Sequence, residues 1–211
     1  MTDWVAWHAA YGDPGSSLPR RLAVVRSEIR RWLDGTAPRP VTVLSLCAGD
    51  GRDLLGALAG RADGGRVRAT LVELAPQLCQ RARDAARATV GSAIEVRCAD
   101  AGTLESYAAC PPADLVLACG VFGNVSDADV EGTIAGLPAL CAEGARVVWT
   151  RHRREPDLTP RIREWFTING FHEVAFITPE GDLTAIGVHD LVTRPRESTR
   201  APGPRLFTFT R

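Results

Sequence analysis

The chain has 211 residues, with 25 basic and 25 acidic side chains, and therefore no formal net charge. All the basic residues are arginine, so Schiff-base chemistry at an internal lysine and the phosphate-binding lysines of P-loops and kinases are excluded. The neutral balance and the strand-sized apolar runs predict neither nucleic acid nor a membrane as a partner.

The first predicted element is a helical segment that carries a row of aromatic side chains. Trp4, Trp7, His8 and Tyr11 have the i, i+3, i+4, i+7 spacing of one helix face. Two interpretations remain open: an aromatic stripe packed on the body of the domain, or a lid over a ligand. The segment ends at the breakers of residues 13–15.

A longer helix is predicted from about Ser17 to Leu33. Its apolar residues recur at helical spacing, and Pro19 falls in the first turn, where its missing N–H is tolerated. Five arginines occupy much of the remaining surface and are interpreted as a solvated face: Arg20, Arg21, Arg26, Arg30 and Arg31.

From residue 41 onward, apolar runs of strand length alternate with helical segments. The predicted strands are 41–47, 67–73, 94–98, 114–119 and 145–150. The predicted helices are 51–60, 76–89, 102–109, 127–140 and 159–168. Such alternation, with strands that are apolar on both faces, is typical of an α/β protein with a parallel sheet and right-handed crossovers.

The last part of the chain has a different pattern. Residues 173–178 and 205–210 are predicted to be two further strands, which could pair antiparallel at the sheet edge. Residues 179–204 contain many breakers and are predicted to be a loop. Six cysteines without CxxC spacing indicate free thiols in a reducing, cytoplasmic compartment and no metal site. The first residues lack a basic and an apolar stretch, so no signal peptide is expected.

In an open parallel sheet, ligands bind beyond the carboxyl ends of the strands. Ala48, Gly49, Asp50 and Gly51 follow the first strand, where two glycines allow a tight turn and close approach of a ligand to the backbone. Leu54 stands where a dinucleotide fingerprint needs a third glycine, so a ligand without a diphosphate is favoured. The alternative is an ordinary tight turn.

Acidic residues follow the next two strands. Glu73 could accept hydrogen bonds from both hydroxyls of a ribose, or it could be a surface charge. Asp100 could accept from an adenine amino group, or it could cap the helix after it. The fourth strand opens into residues 120–124 (GVFGN), a corner where a ligand could approach backbone or where glycines serve a loop with positive φ.

These features in this order resemble the class I S-adenosylmethionine-dependent methyltransferases over residues 41–178. The strings LSLCAGDGRDLL, CGVFGN and WTRHRR look like one branch of bacterial methyltransferases. The resemblance implies a Rossmann-like doubly wound sheet of seven strands in the order 3-2-1-4-5-7-6, with strand 7 antiparallel. It also implies an N-terminal helical extension (1–40) in front of an S-adenosylmethionine-binding domain (41–211).

The resemblance further assigns cofactor contacts to the turn after the first strand and to the ends of the next three strands. The assigned residues are Ala48, Gly49, Asp50, Gly51, Glu73, Leu74, Asp100, Ala101, Cys119 and Gly120. Two positions depart from the family pattern. Ser45 stands where an acidic residue often serves the cofactor's ammonium group, and Cys47 replaces the first glycine. Asp50, Asp53 or an N-terminal residue would have to compensate for the missing carboxylate.

The implied reaction is methyl transfer from S-adenosylmethionine to a small-molecule acceptor by a monomer or homodimer. The catalytic candidates are His152, His8 and Tyr11, and Arg151, Arg153 and Arg154 could clamp an acidic substrate. His172 and His189 are expected to be structural. The open alternatives are a non-methylating displacement or cyclisation of the same cofactor, a nicotinamide-dependent reductase, and a module that binds the cofactor without reaction.

Overall fold

A computed structural model of the protein describes residues 4–13, 15–89, 93–193 and 205–210. Seven strands form one sheet in the order β3-β2-β1-β4-β5-β7-β6. The strands are β1 (Val41–Leu46), β2 (Val67–Glu73), β3 (Ala93–Cys98), β4 (Ala113–Ala118), β5 (Cys141–His152), β6 (Phe171–Ile177) and β7 (Thr184–Leu191). The first five run parallel, and β7 is antiparallel to both β5 and β6. The strand order and the direction of β7 confirm the predicted fold class.

The helices also follow the predicted order. They are α1 (Trp4–Trp7), α2 (Leu18–Gly35), α3 (Arg52–Leu58), α4 (Pro76–Arg87), α5 (Asp127–Leu140) and α6 (Thr159–Ile168). Short 3₁₀ helices cover His8–Gly12, Gly64–Arg66 and Leu104–Tyr107, so the predicted helix 102–109 is a single 3₁₀ turn. Among the described helices, none combines the length and apolar character that a membrane crossing requires.

Helices cover both faces of the sheet, which explains the continuous apolar runs of its strands. Successive strand residues point to opposite faces. Val41 and Val43 of β1 therefore pack in the cluster that contains α2 and α3, whereas Leu44 and Leu46 pack in the cluster that contains α5 and α6. Because both faces are buried, neither can carry a polar alternation.

The predicted boundaries fail in the antiparallel part of the sheet. β7 lies inside 179–204, which was predicted to be a loop, and β5 extends beyond 145–150 at both ends. Gly187, His189 and Asp190 interrupt the apolar pattern of β7, but each residue is matched by β5. Asp190 pairs with Arg146 through two hydrogen bonds of 2.7 and 2.8 Å, and His189 accepts a hydrogen bond from the Trp149 indole. Residues 194–204 of the predicted loop lie outside the described residues.

The predicted strand 205–210 is also wrong. Within the described part of this segment, only isolated bridges form, between Thr103 and Arg205 and between Val125 and Phe209. The segment runs past α5, and Leu206 and Phe207 are buried in the core. The segment cannot pair with β5, because β7 already occupies that place in the sheet. Its apolar residues pack in the core instead.

The predicted solvated face of α2 is wrong for Arg21. Its side chain is 9% exposed, and it lies on the buried face with Leu18 and Val25. The spacing contains this information, because Arg21 follows Leu18 by three residues and precedes Val25 by four. The prediction assigned Arg21 to the solvated face because it is an arginine. Its position in the helical repeat, however, corresponds to the buried face of α2.

Buried His189 provides a testable pH dependence of stability. Burial lowers the pKa of His189 to about 4, against the opposing attraction of Glu173. Because the indole N–H can only donate, Nδ1 of His189 is the unprotonated acceptor at 3.2 Å. A folded-state pKa below the unfolded value means that the unfolded chain binds more protons between about pH 6.5 and 4. The free energy of unfolding should therefore fall by about 1 kcal/mol per pH unit as the pH drops through this window.

The measurement is urea denaturation at pH 7, 6 and 5 for wild type and His189→Asn. The asparagine oxygen can still accept from Trp149 but does not titrate, so the variant should lose this part of the pH slope. His172→Asn serves as the control at an exposed histidine on β6. Equal slopes for wild type and His189→Asn would contradict the prediction.

Candidate functional site

A pocket of about 290 Å³ lies at the carboxyl ends of β1 to β4, where an open parallel sheet binds its ligands. Residues from seven parts of the chain line it: the N-terminal segment, α2, the turn after β1, the start of α3, the ends of β2 to β4, the start of α4, and the C-terminal segment. The lining residues are Trp4, His8, Tyr11, Arg21, Cys47, Ala48, Arg52, Asp53, Glu73, Leu74, Ala75, Pro76, Leu78, Asp100, Ala101, Cys119, Gly120 and Phe209. A larger open groove between α2, α3 and α4 lies on the outer helical surface and away from the ends of β2 to β4.

The turn after β1 has the backbone of a glycine-rich turn, although only two of its residues are glycine. Cys47, Gly49 and Gly51 have φ angles of 50°, 59° and 74°. This left-handed region is easy for glycine and strained for cysteine, so Cys47 adopts the conformation of the glycine it replaces. At Gly51 a Cβ atom would come within 2.8 Å of Leu55 Cδ1. The turn therefore keeps its backbone close to α3, and its residues Cys47 and Ala48 line the pocket.

Glu73, at the end of β2, binds the glycine turn as well as lining the pocket. Its Oε2 accepts from the backbone N–H of Gly49, and its Oε1 accepts from that of Ala75, both at 2.8 Å. Each carboxylate oxygen has a second lone pair, so the side chain can still accept from a ligand hydroxyl. The surface-charge alternative is wrong, because Glu73 is only 8% exposed.

Asp100, after β3, has a local partner and a distant one. Its Oδ1 accepts from the backbone N–H of Gly102 at 2.8 Å, which is the side-chain bond of an Asx turn. Its Oδ2 lies 2.9 Å from Arg205 of the C-terminal segment. Ala101 is buried beside it, and its carbonyl accepts from the Tyr107 hydroxyl. Asp100 thus holds the turn before the 3₁₀ helix, whose N-cap is Thr103, and it also lines the pocket.

The corner after β4 is held by side chains on both sides. The Gly120 N–H donates to Thr150 Oγ1 at 2.9 Å, and its carbonyl accepts from the Asn124 amide at 2.7 Å. Gly120 has a φ of 83°, which agrees with the interpretation of this loop as one that needs positive φ. Burial raises the pKa of the neighbouring Cys119 thiol well above its usual range, and the charge of Asp53 adds to this effect.

Both ends of the described chain contribute aromatic residues to the roof of the pocket. Trp4 and Phe209 approach with ring centroids 5.2 Å apart, and His8 and Tyr11 approach with centroids 5.8 Å apart. Of the predicted aromatic stripe, Trp4, His8 and Tyr11 line the pocket, whereas the side chain of Trp7 lies outside the described residues. These three residues of the predicted stripe therefore form part of the wall of the pocket.

His8 has one ring nitrogen whose role the geometry determines. Its Nδ1 lies 2.7 Å from the Trp4 carbonyl oxygen, which can only accept, so Nδ1 carries the proton. Nε2 is then the basic nitrogen of the neutral ring, and it lies over Gly49. Burial raises the pKa of Tyr11 to about 12, even though the Arg21 charge opposes the shift. Tyr11 is consequently a protonated phenol at neutral pH.

Three charged side chains, Arg21, Arg52 and Asp53, line the β1 and β4 end of the pocket, and Asp50 lies beside them in the outer groove. Arg52 forms two hydrogen bonds with the Asp50 carboxylate and stacks on the Tyr11 ring, with Cζ 4.0 Å from the centroid. Burial alone would raise the pKa of Asp50, but the hydrogen bonds and charge of Arg52 lower it overall. Burial raises the pKa of Asp53, and the charge of Arg21 limits that rise. Arg21 donates to the Tyr11 hydroxyl.

His152 and the basic loop after β5 lie outside the described lining of this pocket. The His152 ring packs against Gly123, where an added Cβ would meet Cδ2 at 3.4 Å. Arg151 donates to the Phe122 carbonyl and lies 3.6 Å from Asp127, so it holds the β4 corner. A role for His152 at the acceptor remains a prediction.

The predicted contacts Gly49, Asp50 and Gly51 are not in the lining of the pocket, whereas the sequence interpretation did not assign six residues that are: Arg21, Arg52, Ala75, Pro76, Leu78 and Phe209. The helical repeat of α2 contains a signal for Arg21, whereas Phe209 had been assigned to a strand. All six cysteines lie in the described chain as free thiols. Among the described residues, no group of three or more histidine, cysteine or acidic side chains could hold a metal ion.

Gly49→Ala should weaken ligand binding in this pocket more than the strain of a positive φ angle at alanine would by itself. At Gly49 an added Cβ would overlap the His8 ring, and its φ of 59° adds about 1 kcal/mol of strain for alanine. Gly60→Ala is the matched control, because its φ is 75° and nothing lies within 4 Å of an added Cβ. Both variants should lose about 1 kcal/mol of stability, and only Gly49→Ala should bind ligand at least tenfold more weakly.

The steric origin of this loss can be tested by removing the ring. In a His8→Ala background, adding Gly49→Ala should weaken ligand binding less than it does in wild type, measured by calorimetry. Additive losses in the double variant would mean that the ring is not the obstacle.

Comparison with solved structures finds the same fold in several methyltransferases. Magnesium protoporphyrin IX methyltransferase from Synechocystis PCC 6803 matches with a TM-score of 0.67 at 15% identity, over 90% of this chain and 91% of the other. N-methyltransferase NodS from Bradyrhizobium japonicum WM9 matches with a TM-score of 0.61 at 13% identity, over 86% and 99%. Precorrin-6y C5,15-methyltransferase from Geobacter metallireducens GS-15 matches with a TM-score of 0.59 at 17% identity, over 86% and 92%.

The likeness to these structures establishes a shared fold. No protein-family model matches the chain, and no curated protein matches its sequence.

Proposed function

We propose that the protein is an S-adenosylmethionine-dependent methyltransferase that acts on a small molecule by in-line methyl transfer. The observation that carries the proposal is the pocket at the ends of β1 to β4, where Glu73 sits between a glycine turn and Asp100. The fold of the Synechocystis enzyme, whose structure contains bound S-adenosylmethionine, supports the same ligand.

The pocket fits the shape of this cofactor. Asp100, Glu73, the glycine turn and Cys119 follow β3, β2, β1 and β4, which are neighbours in that order. Adjacent strands are about 4.8 Å apart, so these groups span about 14 Å. This is the extent of an adenine, a ribose and an amino acid in a row. Without a third glycine, the turn has no feature that favours a diphosphate.

The proposed cofactor contacts use this row of residues. Glu73 would accept from the ribose hydroxyls, and Asp100 would accept from the adenine amino group, with Leu74 and Ala101 beside the ring. The backbone of Ala48 to Gly51 and of Cys119 and Gly120 would face the amino-acid end. The N–H and the carbonyl of Gly120 are both hydrogen-bonded within the protein, so its backbone is held in a fixed position at this corner.

When bound, S-adenosylmethionine supplies a methyl group that its sulfonium already activates. The protein's contribution is then mainly alignment and exclusion of water, which can lower a barrier by several kcal/mol. A base is needed only for an acceptor that is protonated at neutral pH. Of the two aromatic candidates, His8 suits that role better, because the phenol of Tyr11 holds its proton.

The proposal is tested by calorimetric titration with S-adenosylmethionine and S-adenosylhomocysteine, with NADH as the control ligand. Both sulfur compounds should bind in the micromolar range, and NADH should not bind. A folded sample that binds neither sulfur compound overturns the proposal, and binding of NADH instead would favour a reductase.

A product assay with candidate acceptors then separates the reactions. S-adenosylhomocysteine as the product supports methyl transfer, whereas methylthioadenosine indicates a non-methylating displacement. Tight binding without either product would favour a binding module. We also propose that the N-terminal extension acts as a lid, that the protein is a monomer or a homodimer, and that it is cytoplasmic.

A further inference from the structure

The β1 and β4 end of the pocket carries one more charged pair than the family pattern assigns. Ser45, where an acidic residue often serves the ammonium group, is 5% exposed and lies inside β1, so it has no carboxylate to offer. Asp53, at the start of α3, and Arg21, on α2, both line the pocket at this end. One is an acid and the other a base, and they come from different helices.

The other acidic side chains near this end of the pocket already form hydrogen bonds or ion pairs within the protein. Asp50, the other acid of the turn, forms a two-bond ion pair with Arg52, and Arg52 also stacks on Tyr11. Glu73 holds two backbone N–H groups on the β2 side of the turn. Asp100 is two strands away from β1 and pairs with Arg205. Asp53 accepts a hydrogen bond from the Cys119 thiol and lies within the charge of Arg21, and among these acids it is the one that lines the pocket beside β4.

Arg21 is held in position for an anion. Its guanidinium donates to the Tyr11 hydroxyl and lies 5.7 Å from the centroid of the Tyr11 ring. Arginine binds carboxylates through its planar fork, and burial strengthens that interaction. The side chain is 9% exposed, so a ligand carboxylate would meet it with little competing water.

Building on the proposed function, we propose that Asp53 and Arg21 form a zwitterion site that selects ligands with a free amino acid. Asp53 binds the ammonium group and Arg21 binds the carboxylate of the cofactor's amino-acid end. The pair replaces the acidic residue absent at Ser45. It recruits α2, from the N-terminal extension, as a specificity-determining part of the cofactor site.

Burial and charge agree with this assignment. Burial raises the pKa of Asp53, while Arg21 and Arg26 oppose the rise, so the carboxylate lies where a ligand cation would stabilise its charged form. A site with one positive and one negative side chain complements a zwitterion better than it complements a neutral nucleoside or a diphosphate.

The test compares ligands that differ only at the amino-acid end. S-adenosylhomocysteine carries both charged groups, its decarboxylated analogue carries the amine alone, and 5′-methylthioadenosine carries neither. All three have a neutral sulfur. Dissociation constants for each are measured by calorimetry on the full chain, with thermal unfolding to confirm that each variant is folded.

Asp53→Asn should weaken S-adenosylhomocysteine and the decarboxylated analogue by tenfold or more and change 5′-methylthioadenosine by less than twofold. Arg21→Gln should weaken only S-adenosylhomocysteine and so remove its advantage over the decarboxylated analogue. Arg26→Gln is the control, because Arg26 also acts on the Asp53 charge but is not among the described lining residues. Its ligand ratios should equal those of wild type.

The two proposals fail in different ways. If the wild type binds neither S-adenosylhomocysteine nor 5′-methylthioadenosine, the proposed function fails. If the wild type binds S-adenosylhomocysteine but Asp53→Asn and Arg21→Gln keep the wild-type ratios between ligands, only the zwitterion site is refuted.

Discussion

Glu73→Ala is expected to weaken binding of S-adenosylhomocysteine about 100-fold or more, which corresponds to about 3 kcal/mol. The variant removes a charged acceptor for two ribose hydroxyls, and hydrogen bonds to charged groups contribute about 1.5 to 3 kcal/mol each. It also removes the acceptor of the Gly49 N–H, which holds the turn in its binding conformation. Direct contact and preorganisation are therefore lost together.

The same variant should be less stable by about 1 to 3 kcal/mol, because two backbone donors lose their acceptor in a site with limited access to water. Glu73→Gln separates charge from shape. It keeps one accepting oxygen and the length of the side chain, but its NH₂ group cannot accept from the second backbone N–H, so binding should fall by about tenfold through loss of the charge and of one acceptor. Calorimetry and thermal unfolding measure both effects.

Glu95→Ala is the matched control for Glu73→Ala. Glu95 is an exposed acid on β3, and within the described structure it pairs with Arg97. Its loss should change ligand affinity by less than twofold. Wild-type affinity in folded Glu73→Ala would contradict the proposed contact with the ribose.

Gly187→Ala is expected to destabilise the fold by about 3 kcal/mol, the upper end of the usual effect of overpacking a core. An added Cβ would overlap the indole of Trp149, which is fully buried. The indole cannot move aside easily. It stacks on Phe166 with centroids 6.0 Å apart, and its N–H donates to His189.

The midpoint of thermal unfolding should fall by roughly 6 to 12 °C for a chain of this size. Gly132→Ala provides the control, since Gly132 lies in α5 and its nearest contact for an added Cβ is 4.0 Å away. That change should be neutral or stabilising by up to about 1 kcal/mol, because alanine favours helix. Equal midpoints for wild type and Gly187→Ala would refute the packing argument.

A double-variant cycle locates the strain. In a Trp149→Leu background the indole is gone, so adding Gly187→Ala should have a much smaller effect than it has in wild type. Additive effects would place the strain elsewhere than between these two side chains.

Local sequence patterns predicted the parallel half of the sheet, and they placed Glu73 and Asp100 at its carboxyl edge. β1 and β4 are buried on both faces, and a strand of that kind has a nearly continuous apolar sequence. Glu73 and Asp100 could be placed near the glycine turn, because parallel strands all end at the same edge. Chain order and strand direction were enough to bring these residues together.

The antiparallel half could not be predicted in the same way. Gly187, His189 and Asp190 look like breakers within the chain, and only β5 explains them. Trp149 requires a glycine opposite it, Arg146 pairs with Asp190, and the indole N–H requires the acceptor on His189. Each of these residues is favourable because of a side chain about 40 positions away, and no local pattern contains that information.

The same distinction between local and long-range information applies to the pocket. The sequence by itself determined the sheet order, through the family resemblance, and the residues at the strand ends, because strand direction makes their positions a local property. Only the tertiary structure decided which parts of the chain close the pocket. Arg21 reaches it because α2 packs beside α3, and Trp4 and Phe209 contact each other where the two ends of the described chain both line the pocket. Such contacts depend on how separate elements pack in three dimensions, and hydrophobic spacing within one segment cannot specify them.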